Sequence, residues 1–234
     1  MQLELAFVPP ARTEDVAIVV DVLRMTTTAA ALLSRGLAEL AVVADVDAAR
    51  LYSRAVDGLL LGERGGVALP GFDGGNSPLE NVSRDLSGRH ATLCTSNGSK
   101  AVEAAALARE LLLGAIVNAS AVARLAVDLA ADSITVICAG TDGRPSLDDV
   151  LGAGCIAREV MRLLPECAAS DSAKLAVELA SSPKGIPALL AASRHAGTLR
   201  DLGFHADIDY AGKLDALTVV PRRTAAAPAV FRAA

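Results

Sequence analysis

The sequence contains few aromatic residues and no tryptophan: Phe, Tyr and Trp together make up 3% of its 234 residues. Hydrophobic residues nevertheless make up 52%, so the chain is expected to be globular with a core of Ala, Leu and Val. No apolar run approaches the roughly 20 residues of a membrane-spanning helix, and no basic segment of the signal-peptide type precedes the first apolar residues. We therefore expect a cytoplasmic protein without membrane attachment.

The chain also lacks clusters of basic residues and paired cysteines. Its net charge is -5, which argues against nucleic-acid binding. The four cysteines show neither a CxxC pair nor a zinc-type spacing, and are predicted to be reduced packing residues. The sequence is compatible with a homodimer.

Apolar strand-like runs alternate with Ala-rich helix-like runs, which predicts an α/β fold: a mostly parallel sheet with helices on both faces, in three α/β/α layers. The C-terminal third, from residue 146, is predicted to be largely helical, with one late strand near residues 217–220. We expect a single domain over 1–223, with two lobes split near residue 140 as the alternative, and a loosely ordered Ala/Pro tail over 224–234. The predicted strands cover residues 4–8, 16–23, 39–43, 58–61, 91–94, 110–116 and 133–138.

Asp21 lies inside an apolar run, Ile18–Leu23, that is predicted to be a strand. A carboxylate there is costly unless it is paired or bound to a metal. An ion pair with Arg24 is one explanation, but a strand-end aspartate is also suited to hold Mg²⁺ near a phosphate, and we favour the metal. Arg24 and Thr26 are predicted to bind phosphate, with helix capping as the alternative for Thr26.

A glycine-rich segment, residues 62–80, follows a short apolar run and ends at a predicted helix start. Its few charged residues are separated by glycines, which let backbone N–H groups approach a ligand closely. Arg64 offers a planar fork for phosphate or carboxylate, and Glu63 and Asp73 are oxygen ligands suited to Mg²⁺. The pattern favours an anion and metal site, with a mobile surface loop as the alternative.

The last part of this segment, Ser77-Pro78-Leu79-Glu80, has the pattern of a capping box. Ser77 and Glu80 are therefore better explained as helix caps than as catalytic groups. Because a helix N-terminus also attracts anions, Asn76 and Ser77 are still expected to lie beside the ligand.

A further polar loop carries Asn97, Gly98 and Ser99 at a predicted helix start, as a phosphate cradle would. It does not have the Walker A pattern. Cys94 and Lys100 resemble the ends of a Cys-x5-Arg phosphatase loop, but Lys does not replace the bidentate fork of Arg. Cys94 is therefore predicted to pack at a strand end.

The loop after residues 133–138 contains Asp142 and leads to Asp148 and Asp149 in a predicted first helical turn. For Asp148 and Asp149, a favourable interaction with the helix N-terminus explains the sequence as well as a role in the site does. The three histidines are scattered and are predicted to have surface or packing roles.

These segments resemble the 2-phosphosulfolactate phosphatase family, in the expected order and over nearly the whole chain. The most specific part is the central run, Gly71 to Glu80, which reads GFDGGNSPLE. The resemblance implies a cytoplasmic, magnesium-dependent phosphatase that acts on 2-phospho-3-sulfolactate, in a step toward coenzyme M. The other matching segments are Asp21–Thr28, Gly62–Gly66, Asn97–Ser99, Ser146–Asp149 with Ala153-Gly154, Leu202–Phe204 with Asp207-Ile208, and Val220-Pro221.

The sequence therefore predicts a phosphoric monoester hydrolase acting on a small anionic phosphorylated substrate, with metal-activated water as the favoured nucleophile. The predicted catalytic residues are Asp21, Glu63, Arg64 and Asp73, of which Asp21, Glu63 and Asp73 are the predicted Mg²⁺ ligands. The predicted phosphate- and substrate-binding residues are Arg24, Thr26, Asn76, Ser77, Asn97, Gly98 and Ser99.

Three alternatives remain. The protein could bind a phosphorylated metabolite without turnover, hydrolyse a different small phosphorylated acid, or use Cys94 as a nucleophile. The carboxylates at Asp21 and Glu63 favour catalysis, because binding of an anion needs only amides and Arg.

Overall fold

The structure, a computed structural model, describes residues 1–10, 13 and 15–234. Its strands form one sheet in the order β5-β4-β6-β3-β11-β10-β7-β2-β8-β1-β9. The strands are β1 Gln2–Ala6, β2 Val16–Val20, β3 Glu39–Val43, β4 Leu59–Arg64, β5 Val67–Ala68, β6 His90–Cys94, β7 Glu110–Gly114, β8 Ser133–Cys138, β9 Ala168–Ala169, β10 Pro221–Ala226 and β11 Ala229–Ala233.

Helices connect the parallel strands and fill most of the C-terminal third, as the sequence predicts. Among the described residues, no helix is both long enough and apolar enough to cross a bilayer. The helices are α1 Met25–Ser34, α2 Val46–Ala55, α3 Pro78–Val82, α4 Gly98–Ala104, α5 Ala119–Leu129, α6 Leu147–Leu163, α7 Asp171–Ala180, α8 Ile186–Ala191, α9 Arg194–Asp201 and α10 His205–Ala211.

Strand β2 shows how both faces of the sheet are covered. Val16, Ile18 and Val20 belong to a core that includes residues of α5, α6 and α7. Ala17 and Val19 belong to a second core with residues of α1 and α4. Since successive side chains of a strand point to opposite faces, the sheet lies between two helical layers. The predicted α/β/α architecture is confirmed.

The C-terminal hairpin is the main departure from the predicted fold. Strands β10 and β11 are antiparallel and lie inside the sheet, between β7 and β3. The loosely ordered tail predicted over 224–234 is therefore wrong, as is the strand near 217–220, which precedes β10. Main-chain pairing on both edges of β11 and complete burial of Phe231 hold the segment. Ala/Pro composition does not reveal either interaction.

Candidate active site

A cavity of about 450 Å³ lies where the carboxyl ends of several strands meet the C-terminal helices. Its walls come from the segments that follow β2, β4, β6 and β8 and from α9, in agreement with the rule that ligands bind at the carboxyl ends of parallel strands. The lining residues are Asp21, Leu23, Arg24, Glu63, Gly65, Gly66, Asn76, Ser96, Asn97, Thr141, Asp142, Arg194, His195 and Thr198.

Asp21 follows β2 and is buried in the cavity wall. One of its carboxylate oxygens, Oδ1, accepts the N–H of Met25 at 3.2 Å. The other, Oδ2, lies so close to Gly98 that any Cβ at that position would collide with it. Burial raises the pKa of Asp21 to about 7, and the nearby carboxylates of Asp148 and Glu63 contribute to the rise.

Glu63 lies near the end of β4 and connects two loops of the cavity. Its Oε2 accepts the N–H of Gly66 at 2.8 Å, and its Oε1 accepts the N–H of Ser96 at 2.9 Å. Both carboxylate oxygens are therefore oriented by backbone donors, although each oxygen keeps a further lone pair. Glu63 and Asp21, predicted together as metal ligands, do share one cavity.

Arg24 is 3% exposed and is held on three sides. Its Nη1 donates to Asp207 at 2.8 Å, its Nη2 donates to the carbonyl of Gly66 at 2.8 Å, and its guanidinium lies 4.2 Å from the ring centroid of Phe204. The ion-pair partner of Arg24 is thus Asp207 and not Asp21. Because the guanidinium of Arg24 is fixed in this way, its remaining N–H groups keep a single orientation at the cavity wall.

Arg64 does not line the cavity, contrary to its predicted role. Its guanidinium donates to the carbonyls of Glu63 and Ala44, at 2.8 Å each, and lies 3.5 Å from the sulfur of Cys94. The planar fork that suggested an anion site is used on backbone oxygens. Cys94 also lies outside the cavity, and burial raises the pKa of its thiol, which disfavours a thiolate nucleophile.

Asp73 is likewise separated from the other predicted metal ligands. It is exposed, its Oδ2 accepts the N–H of Leu60 at 2.8 Å, and it lines a different shallow pocket that also contains Arg50 and Arg54. The carboxylate serves to fix the central loop against β4. We therefore leave Asp73 out of the metal site.

Three predicted hydroxyl ligands instead make local structural bonds. Thr26 donates to the carbonyl of Asp21 at 2.8 Å, and Ser99 donates to the carbonyl of Thr95 at 2.7 Å. Ser77 caps α3, as its capping box predicts, and donates to Asp207 at 2.8 Å. None of these three hydroxyl-bearing residues is among the described residues that line the cavity.

Two predicted asparagines do line the cavity. Asn76 is buried, and its Oδ1 has no hydrogen-bond partner among the described residues. Asn97 lies at the start of α4, where its Oδ1 is 3.5 Å from the N–H of Asp142. An unpartnered buried oxygen is costly unless a ligand, an ion or water completes it, so Asn76 has capacity for a donor or a cation.

Asp148 and Asp149 are buried, although a simple helix-end role was an equally good interpretation of their sequence. Asp149 accepts the N–H groups of Val22 and Gly140, at 2.9 Å each. Burial first, and then the charges of Asp148 and Asp21, raise its pKa well above the usual range. Asp149 therefore ties together the ends of β2 and β8.

The cavity also contains three residues of α9 that the sequence interpretation missed: Arg194, His195 and Thr198. His195 was predicted to have a surface or packing role, but its Nδ1 lies 3.8 Å from Oδ2 of Asp148, an oxygen without a hydrogen-bond partner among the described residues. Ser193, which caps α9, was the available local signal for this helix. No local pattern indicated that the helix would reach the strand ends.

The acid groups fit a hard cation, although they do not form a complete protein cage. Among the described residues, no three His, Cys, Asp or Glu side chains are grouped closely enough to hold a metal by themselves. Asp21 and Glu63 are two carboxylates in one cavity, and Asn76 adds an unpartnered oxygen. Mg²⁺ is commonly bound by one or two carboxylates together with water and substrate phosphate. The residues present therefore fit Mg²⁺ better than a metal that needs four protein ligands.

A strand-end cavity with buried carboxylates, a fixed arginine and a glycine-rich loop is suited to hydrolysis of phosphate monoesters. Comparison with known proteins gives the same class. The family model of 2-phosphosulpholactate phosphatase matches residues 5–225. The chain belongs to this family, and the predicted assignment to the phosphoric monoester hydrolases is confirmed.

Individual relatives match over most of both chains. A probable 2-phosphosulfolactate phosphatase of Deinococcus radiodurans is 43% identical over 94% of this chain and 92% of its own. A protein of Carboxydothermus hydrogenoformans with the same description is 42% identical over 94% and 92%. One of Thermus thermophilus is 38% identical over 88% and 87%.

Proposed function

We propose that this protein hydrolyses 2-phospho-3-sulfolactate to 3-sulfolactate and inorganic phosphate, with Mg²⁺ as cofactor. The observation that carries the proposal is the pair of buried carboxylates, Asp21 and Glu63, which share a cavity with the fixed guanidinium of Arg24. The substrate is suggested by the names of the relatives, which describe probable 2-phosphosulfolactate phosphatases. A cavity of about 450 Å³ is large enough for a small phosphorylated acid.

Asp21 and Glu63 would hold Mg²⁺, and Oδ1 of Asn76 is the available third oxygen. The raised pKa of Asp21 supports this assignment, because it reflects burial among other carboxylates without a sufficient counter-charge. When bound, the ion would polarise the phosphoryl group and make a water molecule more acidic.

Arg24 would bind the transferred phosphoryl group. Its contacts with Asp207 and Gly66 hold the guanidinium in place before the substrate arrives. A donor that needs no reorganisation stabilises the charge that develops on phosphoryl oxygens during the reaction. The backbone N–H of Asn97, which lines the cavity at the start of α4, would bind another phosphoryl oxygen.

The reaction forms a bond between a water oxygen and phosphorus and breaks the ester bond between phosphorus and the substrate oxygen. The attacking water gives up one proton, and the leaving alkoxide takes up one proton. Attack by water needs no protein nucleophile. The position of Cys94 outside the cavity is consistent with this mechanism.

Phosphate release from a small set of phosphorylated acids, with and without Mg²⁺, tests the proposal. Protein treated with a chelator should be inactive on 2-phospho-3-sulfolactate and should recover when Mg²⁺ is added. Full activity after exhaustive chelation would contradict the metal assignment. If the protein hydrolyses another phosphorylated acid clearly faster, that acid replaces 2-phospho-3-sulfolactate as the proposed substrate.

A binding protein without turnover is the second candidate, because amide-rich loops and Arg24 would also bind a phosphorylated metabolite. The buried carboxylates favour hydrolysis, since binding of an anion alone gains nothing from Asp21 and Glu63. Tight binding of 2-phospho-3-sulfolactate with no phosphate release at saturating Mg²⁺ would favour this candidate.

The cellular setting is part of the same proposal. All four cysteines are free, as expected for a reducing cytoplasm, and the reaction would contribute to coenzyme M formation. The homodimer and the absence of nucleic-acid binding stay predictions.

A further inference from the structure

The cationic side chains of the cavity differ in how many partners they have. Both Nη atoms of Arg24 donate to protein oxygens at 2.8 Å. Arg194 has only a long contact, 3.9 Å, with Asp142, and the two side chains are 74% and 84% exposed. Such an exposed ion pair contributes little to stability. Among the described residues, Arg194 is therefore a cavity cation whose donors are still available for a ligand.

Helix α9 places two more donors beside Arg194. His195 is the next residue and Thr198 lies one turn later, so all three share one face of the helix, and all three line the cavity. The opposite face is anchored, because Ala196 and Leu199 are buried in the main core. The polar face is thus held against the cavity by apolar packing.

The imidazole of His195 is the second available donor, because it makes no hydrogen bond to the described residues. Its Nδ1 lies 3.8 Å from Oδ2 of Asp148, a buried oxygen with no other partner among the described residues. The hydroxyl of Thr198 makes only a long bond, 3.4 Å, to the carbonyl of Arg194, which a ligand can replace.

We propose that Arg194, His195 and Thr198 form the subsite for the sulfonate of the substrate. The proposal rests on the proposed function, because it assumes that the phosphoryl group is bound at Asp21, Glu63 and Arg24. A sulfonate has three equivalent oxygens, and the three side chains offer a guanidinium, an imidazole N–H and a hydroxyl. The subsite selects a substrate that carries a second strong acid group and takes no part in bond breaking.

The test compares two substrates that differ only in the sulfonate: 2-phospho-3-sulfolactate and 2-phospholactate. Arg194→Gln should lower kcat/KM for the sulfonated substrate roughly 10- to 100-fold, the range for a lost charged hydrogen bond, mainly through KM. Its kcat/KM for 2-phospholactate should stay close to that of the unmodified protein. Arg200→Gln is the matched control, because Arg200 is on the same helix and donates to the carbonyl of Ala191 outside the cavity.

Equal losses on both substrates, or no loss on either, would overturn the subsite. Thermal melting of each variant checks that the fold is intact. A second measurement, calorimetric binding of 3-sulfolactate and of lactate, does not depend on turnover. If the unmodified protein releases no phosphate from either substrate, the proposed function fails. The subsite then stands only if 3-sulfolactate binds and Arg194→Gln weakens that binding, and it fails if 3-sulfolactate does not bind.

Discussion

The strand-end loops and helix α9 line the same cavity but hold their side chains very differently. In the loops, Glu63 takes two backbone hydrogen bonds and Arg24 is fixed by three neighbours. On α9, Arg194 has one long contact and His195 has one neighbour at 3.8 Å. Groups that act in a transition state must be preorganised, whereas groups that select a substrate can adjust to it. Under the proposed function, the comparison separates a rigid reacting end from an adaptable binding end.

The largest expected effect is at Asp21, the buried acid of the rigid end. Asp21→Asn is nearly isosteric and should lower phosphate release at least ~100-fold, as the loss of one electrostatic group in an active site does. It should also weaken Mg²⁺ binding, while the melting temperature without metal stays the same or rises, because a buried charge is removed. Kinetics, metal titration and melting on one sample measure all three.

Asp73→Asn is the matched control for Asp21→Asn. Asp73 is exposed and lies in a different pocket, so its loss should affect stability and leave turnover largely unchanged. Abolished turnover in folded Asp73→Asn would return this residue to the site. If Asp21→Asn instead melts lower and keeps its turnover, Asp21 is only structural.

The second expected effect compares two arginines. Arg24→Lys keeps the charge but loses the fork that joins Asp207 and Gly66, and should reduce kcat/KM roughly 10- to 100-fold. Arg64→Lys should change kinetics much less, because Arg64 donates to carbonyl oxygens outside the cavity. Steady-state kinetics on both variants measure the difference. A larger loss in Arg64→Lys than in Arg24→Lys would reverse the assignment.

The third effect is a pH dependence of stability without metal. The folded protein binds the Asp21 proton more tightly than the unfolded chain does, since the pKa of Asp21 rises from 3.8 to about 7. Stability from this group is therefore present at low pH and is lost as the pH rises toward 7, by at most about 4 kcal/mol. Melting between pH 5 and 8 should show the decline, and Mg²⁺ should restore stability at pH 8.

Asp21→Asn should make this decline shallower without abolishing it, because the pKa of Asp149 is raised as well. Asp15 does not contribute to the decline. Hydrogen bonds lower its pKa to about 2, so it stays ionised over the whole pH range of the experiment. An identical decline in the variant would show that Asp21 is not the group responsible.

The smallest expected effect is at Cys94, which packs beside Arg64 outside the cavity. Cys94→Ala should keep most of the activity and cost about 1 kcal/mol of stability, as an ordinary packing change does. Phosphate release and denaturant unfolding measure both quantities. Abolished turnover in a folded variant would support a thiolate mechanism instead.

Local pattern was sufficient for most of the parallel strands and for bringing Asp21 and Glu63 into one cavity. Strands β3 and β8 have the predicted bounds, because apolar runs and the turns beside them are local signals. Asp21 and Glu63 could be predicted to meet, since each lies at the carboxyl end of a predicted parallel strand. Asp73 and Arg64 could not be excluded from the site by sequence alone. The spacing of glycines predicts that a loop approaches a ligand, but not which side chains of the loop face that ligand.

The sequence by itself determined the α/β alternation, the cap at Ser77 and the acid groups at the strand ends, all of which depend on residues near one another in the chain. Only the tertiary structure decided that residues 224–234 enter the centre of the sheet, that Arg24 pairs with Asp207, and that α9 lines the cavity. Each of these depends on segments far apart in sequence, for which burial and pairing leave little local pattern.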